Sequence, residues 1–195
     1  MYLYGASGHA RVIIDIINAN DVVVEELFDD NPNIHELDGY PVSHEYHGEQ
    51  PLIFSIGNNA IRKLLAEKIG DIDYGTAIHP SAITSPNATI DKGTVVMPGA
   101  IINSGTSIGK HCIVNTGVSI DHECYIGDYV HISPHATLCG NVQVGEGTWV
   151  GAGTTVIPGI KIGKWAVVGA GSVVIRDIPD GVIAFGNPCK VKKER

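Results

Sequence analysis

Residues 89–174 read TIDKGTVVMPGAIINSGTSIGKHCIVNTGVSIDHECYIGDYVHISPHATLCGNVQVGEGTWVGAGTTVIPGIKIGKWAVVGAGSVV. Stepping six residues at a time from Ile90 gives Val96, Ile102, Ile108, Val114, Ile120, Ile126, Ile132, Leu138, Val144, Val150, Val156, Ile162, Val168 and Val174, every one aliphatic. Neither a helix nor an ordinary strand has that period. A parallel β-helix does, because each short strand points one aliphatic residue inward and then turns a corner. Three such sides make a coil of 18 residues, so this stretch predicts about five coils stacked at the inter-strand spacing of roughly 4.8 Å.

The flanking slots agree. Two residues before the aliphatic position stand small residues (Ala100, Thr106, Ala136, Thr148, Thr154, Ala166, Ser172), as an inward position near a corner requires. Cys112 and Cys124 share that slot and read as buried filler. The position just after the aliphatic one collects Gly109, Gly127, Gly145, Gly151, Gly163, Gly169, Asn103 and Asn115, which reads as a corner with positive φ.

Residues 1–78 lack the hexad and alternate strand with helix, predicting a small Rossmann-like unit in front of a β-helix over 79–195. Tyr2–Tyr4 reads as a strand, GASGH (residues 5–9) as a turn, and Val12, Ile13, Ile16 and Ile17 as one helix face. A strand over Val22–Phe28 ends at Asp29-Asp30, and a hairpin turns at Asp38-Gly39. Leu52–Ile56 is a further strand, and a helix over about 59–69 carries Arg62, Lys63 and Lys68 on its wet side. Residues 76–80 read as the link between domains.

GASGH has two glycines where the dinucleotide fingerprint has three, yet it sets backbone N–H groups and Ser7 at a helix N-terminus, where a phosphate is held. Three strand ends, at GASGH, Asp29-Asp30 and Gly57-Asn58, share one edge of the sheet. That edge suits a nucleotide or nucleotide-sugar. A plain strand-to-helix turn remains the alternative.

In the hexad led by Ile120 the corner holds Asp121, His122 and Glu123. An imidazole beside a carboxylate is the arrangement of a general base. One coil away lie Gly140 and Ser104, both small, leaving room for a substrate. Asp121 reads as a turn residue, which leaves Glu123 as the partner of His122. His131 stands on an outward flat face, open to a ligand or a neighbouring subunit. His111 and His135 occupy a corner slot favoured by Gly. The spacing of 111, 122, 131 and 135 gives no His-x₃-His on one helix and no alignment in the coil register, so no metal is expected.

A net charge of −8 disfavours nucleic acid and anionic membranes. Residues 161–195, with Lys161, Lys164, Arg176, Lys190, Lys192, Lys193 and Arg195 against three acids, form a basic end that suits a polyanion or is a solvated tail. No apolar run approaches a membrane span, no signal peptide is legible, and four irregularly spaced cysteines make no disulfide frame, so a cytoplasmic protein is expected.

The ordered set GASGH, FDD, IGNN, IHPSA, DHE, CGN and GNPCK, spread over nearly the whole chain, resembles the sugar acyltransferases of the left-handed β-helix superfamily. The likeness is to the branch holding UDP-4-amino-sugar N-acetyltransferases of the bacillosamine pathway, perosamine N-acetyltransferases and sialic acid O-acetyltransferases. The resemblance implies left-handedness, a homotrimer and acetyl-CoA as cosubstrate. It implies that His122 takes a proton from the sugar amine as it attacks the thioester and that Glu123 raises its basicity. A direct attack needs only positioning and one base, and the cysteines have no base beside them in sequence, so no acyl-enzyme is expected. Ser7, Gly8, His9, Asp29, Asp30 and Gly57 would hold a UDP-amino sugar. His131, Gly140, Ala152 and Ala170 would contact acetyl-CoA between neighbouring coils of the trimer. Relatives often carry Glu where Asp121 stands. GDP-perosamine or a sialic acid hydroxyl are alternative acceptors, a non-catalytic scaffold would need no His122–Glu123 pair, and a carbonic anhydrase would need zinc.

Overall fold

The computed structural model describes residues 1–194, so the share of the basic end carried by Arg195 lies outside the described residues. The chain begins with β1 (Tyr2–Tyr4), α1 (Gly8–Asn18), β2 (Glu26–Phe28), β3 (Glu36–Leu37), β4 (Tyr40–Ser43), β5 (Leu52–Phe54) and α2 (Asn59–Ile69). Their sheet has the order β3-β4-β2-β1-β5, parallel except for the β3–β4 hairpin. That hairpin turns at Asp38 (φ 52°) and Gly39 (φ 87°), as the sequence predicts. β2 starts only at Glu26, because Val22 and Val23 face solvent. On α1 the core face is Ala10, Ile13, Ile14, Ile16 and Ile17; Val12, expected inside, is exposed and Ile14 replaces it.

From Ala77 onward the chain is a solenoid of three parallel sheets. The docked face stacks Ala77–Ile78, Val95–Val96, Ile113–Val114, His131–Ile132, Trp149–Val150 and Val167–Val168. The second face runs from Ile83–Thr84 to Val173–Val174, and the third from Thr89–Ile90 to Lys161–Ile162. From Ala77 to Val174 each rung pairs with the residue 18 positions on, Ile102 with Ile120 and Ile120 with Leu138 for example, and the spacing shortens to 16 where Val167 meets Ile183. The aliphatic column and the small slot, including Cys112 and Cys124, fill one continuous interior. All four cysteines are free. Residues 76–80, expected as a link, supply the first rung of the docked face. At the far end Val182–Phe185 and Lys190–Glu194 form an antiparallel pair, so the expected tail is a hairpin.

The corners correct one reading. Positive φ falls three residues after the aliphatic position, at Gly93, Gly99, Gly105, His111, Gly117, Glu123, Tyr129, His135, Asn141, Gly147, Gly153, Gly159, Trp165 and Gly171. Glycines one residue after the aliphatic position serve a different need. A Cβ on Gly145 would stand 2.6 Å from the Lys164 amide nitrogen, and one on Gly151 would stand 2.5 Å from that of Ala170. That slot is glycine because the next coil's backbone occupies the space.

The N-terminal unit covers the docked face. Ala77, Val95, Met97 and Ile113 share one apolar cluster with Leu3, Ala10, Ile13, Ile17 and Leu27. α2 lies along the corner joining the third face to the docked face and touches three successive coils. Arg62 Nε and Nη2 donate to the carbonyls of His111 and Tyr129, each at 2.9 Å. Asn59 Nδ2 donates to those of Gly147 and Thr148. Lys63 Nζ meets Glu146 at 2.6 Å. Arg62 is therefore not on the wet side of α2 but 1 % exposed. Lys63 is half-buried and Lys68 exposed. No described helix is long and apolar enough to cross a membrane.

Candidate active site

The candidate site residues fall into two separate constellations. The first is the corner between the second and third faces. Asp121 Oδ1 accepts the His122 amide at 2.8 Å and lies 3.3 Å from Asn103 Nδ2, so that carboxylate closes the turn. The turn throws His122 and Glu123 outward, with side chains 58 % and 72 % exposed. His122 Nδ1 faces Glu123 Oε2 at 3.3 Å. Donation from Nδ1 to that carboxylate leaves the Nε2 lone pair free to accept a proton. The imidazole lies over Gly140, where a Cβ would stand 2.6 Å from both Cε1 and Nε2. The space read from the sequence above the imidazole is thus occupied on this side by the ring itself. Glu123 has φ 58° and shares the left-handed slot of the turn, which Asp121 was expected to hold. A glutamate there costs roughly 1 kcal/mol that glycine would avoid.

The second constellation lies where the N-terminal sheet meets the docked face. Its strand order changes direction between β1 and β5, and the loops that follow those two strands are GASGH and IGNN. Such a switch point is where open α/β sheets bind ligands. Ser7 and Gly8 are exposed at the start of α1, and neither Gly8 nor Gly57 has a neighbour in the path of a Cβ. Ser55 Oγ donates to the Gly5 carbonyl at 2.6 Å, and Asp29 Oδ2 accepts the Ala6 amide at 2.7 Å. Asp29 also accepts the Asn31 amide, so it shapes two loops. Asp30 differs, because its carboxylate takes the Tyr4 hydroxyl at 2.7 Å and lines a cleft of about 370 Å³ with His44, Tyr46 and Lys68. Burial, then Asp30, pushes the Tyr4 hydroxyl up to about 12.

His9 and His131 meet beneath these loops. His131 does face outward from the solenoid, but the N-terminal unit covers it to 8 % exposure. It stacks on Trp149 at 5.3 Å and has Asn115 Nδ2 3.0 Å from its Nε2. Burial first, then the Arg62 charge, lowers His9 to about 4 and His131 to about 3, so both are neutral. His9 Nε2 is buried without a partner, as an atom waiting for a ligand's polar group would be, whereas the His131 ring meets the Gly57 backbone on the side away from Asn115. Asn115 escaped the sequence reading because it stands in the slot shared by corner glycines; its place 16 residues before His131 was the available signal.

Gly140 adjoins His122, whereas Ala152 and Ala170 stack on each other at the corner between the docked and second faces, linked by the Gly171 amide on the Ala152 carbonyl. One chain therefore does not bring His122, His131 and the two alanines together. The described residues hold no group of three or more His, Cys, Asp or Glu placed to bind a metal.

Comparison with known proteins agrees with both halves. Residues 1–69 match the PglD N-terminal domain, and residues 105–140 and 141–176 match the bacterial transferase hexapeptide family. A perosamine N-acetyltransferase from Caulobacter crescentus, solved as a histidine-to-asparagine variant with CoA and GDP-perosamine, is 38 % identical with a TM-score of 0.95 over 99 % of this chain and 96 % of its own. The acetyltransferase domain of PglB from Neisseria gonorrhoeae is 33 % identical with a TM-score of 0.90 over 98 % of each chain, and has also been solved with acetyl coenzyme A. The UDP-N-acetylbacillosamine N-acetyltransferase of Bacillus subtilis is 44 % identical over 105 residues, covering 45 % of this chain and 46 % of that protein. An uncharacterized mimivirus protein is matched over 19 % of its length, so the chain spans less than half of either curated relative. With its PglD-type N-terminal domain, its left-handed hexapeptide β-helix and near full-length likeness to CoA-binding relatives, the chain belongs to the family of sugar N-acetyltransferases that includes the perosamine and PglB enzymes.

Proposed function

We propose that this protein transfers the acetyl group of acetyl-CoA to the amine of a UDP-linked 4-amino-4,6-dideoxy sugar, with His122 as general base. The observation that carries this is the outward His122–Glu123 pair, 3.3 Å apart and seated on a glycine that leaves the ring its place. The sugar amine attacks the thioester carbonyl carbon. His122 Nε2 takes the amine proton, and the tetrahedral adduct collapses with cleavage of the C–S bond. The leaving CoA sulfur then receives the proton back from Nε2, so the histidine ends as it began. Glu123 stabilises the imidazolium formed on the way. Neither Cys112 nor Cys124 suits a covalent route, since burial raises both thiols, Cys112 to about 12.

Ser7, Gly8, His9 and Gly57 form the proposed cradle for the diphosphate and sugar, and Asp30 with the Tyr46 cleft the proposed seat of the nucleoside. Asp29 acts by shaping the GASGH loop. Gly140 of one copy with His131, Ala152 and Ala170 of another is the proposed acetyl-CoA contact set. Their separation in one chain supports a site completed between copies, in a homotrimer. A GDP-linked amino sugar is the second reading, favoured by the GDP-perosamine complexes of the Caulobacter relative.

The discriminating experiment measures kcat/KM for UDP- and GDP-linked 4-amino sugars side by side, with CoA thiol as readout. A UDP preference of tenfold or more supports the proposal, and a GDP preference replaces it with the second reading.

A further inference from the structure

We infer that Arg62 is a positioning residue, which fixes the nucleotide-sugar edge of the N-terminal sheet against the solenoid wall. The inference rests on the acetyltransferase reading above and names the part that aligns the two halves of its site.

Arg62 is 1 % exposed, and its guanidinium donates to no carboxylate among the described residues. Its acceptors are all backbone carbonyls. Nη1 donates to Ile56 at 2.9 Å and Gly57 at 3.1 Å, in the loop that follows β5. Nε and Nη2 donate to His111 and Tyr129, which stand at the same corner of consecutive coils. One planar group thus joins the loop at the switch point to two rungs of the wall, and no other side chain has the fork geometry to hold all four. Burying a cation without a counter-ion is costly, and the full set of carbonyls is what offsets it. Burial lowers the guanidinium to about 10, so it keeps its charge at neutral pH.

Position gives this staple its consequence. Tyr129 lies two residues before His131, whose ring borders the Gly57 backbone. A shift of the Ile56–Gly57 loop therefore moves the nucleotide cradle relative to His131. The other α2 contacts, Asn59 to Gly147 and Lys63 to Glu146, hold the helix to the wall but do not touch that loop. Docking and loop alignment are separable functions of one helix, and Arg62 alone serves both.

The test compares wild type, Arg62→Lys, Arg62→Gln and Lys63→Met in the full chain. It reads steady-state kinetics in both substrates, calorimetric binding of the UDP-amino sugar, and amide exchange of the 56–58 segment. Positioning predicts that the sugar-nucleotide KM and Kd rise together by about tenfold in Arg62→Gln, with acetyl-CoA KM within about twofold. Arg62→Lys, with three donors on a point charge, falls between wild type and Arg62→Gln. Lys63→Met leaves both KM values unchanged. Exchange at 56–58 quickens in the Arg62 variants and not in Lys63→Met. A fall in kcat at constant KM, with exchange quickened evenly over the chain, marks a merely stabilising residue and overturns the inference. Wild type that turns over no nucleotide amino sugar refutes the acetyltransferase reading instead, and the exchange pattern at 56–58 then decides the role of Arg62 by itself.

Discussion

Replacing Gly140 by Ala tests the seat of the proposed base without touching the base. The new Cβ would stand 2.6 Å from His122 Cε1 and Nε2 and 3.2 Å from Cδ2. Ordinary carbon contacts begin near about 3.5 Å, so the ring must retreat by roughly 0.9 Å. The three nearest atoms to the methyl group all belong to that movable ring, and the backbone of Gly140 is not in the left-handed region. With its side chain 58 % exposed, the imidazole can swing into solvent, so the fold absorbs the change. Stability should hold or rise by about 0.5 kcal/mol, because alanine restricts the unfolded chain. Activity should not hold, since a displacement near 1 Å of a reacting group costs on the order of 10²-fold in rate. The assay is CoA thiol release, with urea unfolding run on the same preparations. Because the effect on the chemical step passes through His122, Gly140→Ala made in a His122→Ala background should cost nothing further in kcat at saturating acetyl-CoA, any effect on the acetyl-CoA contact being read as KM. Full activity in Gly140→Ala, or full additivity in the double variant, would refute the reasoning.

Three further outcomes follow from the same geometry. Glu123→Gly relieves a left-handed glutamate and should stabilise the chain by roughly 1 kcal/mol while lowering kcat; a drop in stability would contradict the turn assignment. His9, His111 and His131 are held near 4, 4 and 3 by burial, below the 6.5 of an unfolded histidine. The unfolded chain therefore binds more protons as pH falls through 6.5, and stability must decline from there down toward pH 4. Between pH 7 and pH 5 each histidine accounts for about 2 kcal/mol, which urea midpoints at the two pH values would show and which a flat profile would exclude. Ile120→Ala removes a wholly buried member of the aliphatic column and should cost about 3 kcal/mol in urea unfolding without moving the KM of either substrate.

The solenoid was legible because a strict period leaves one solution. An inward residue every sixth position fixes both the column and the 18-residue register, and even the small slot fell where expected. What the period does not reveal is why a slot is glycine. Gly145 and Gly105 look alike in sequence, yet one is there for clearance and the other for φ of 74°. The docking of α2 was illegible for a physical reason. Its inward side is Asn59, Arg62 and Lys63, and polar residues at helical spacing ordinarily mark a solvated face. Here they meet solenoid carbonyls and Glu146. His131 was likewise read correctly as outward-facing, but a hexad gives no sign of what covers a face. The pairing of His122 with Glu123 was legible as adjacency, while its seat on Gly140 needed the coil register.

The central claim is that His122 removes the amine proton. It is tested most directly by single-turnover CoA thiol release from acetyl-CoA with a UDP-4-amino-4,6-dideoxy sugar, comparing wild type with His122→Ala from pH 6 to pH 9. The account predicts a loss of about 10²-fold or more at neutral pH, shrinking as the pH rises and the free amine needs less help. Turnover by His122→Ala within a few-fold of wild type across that range would contradict it.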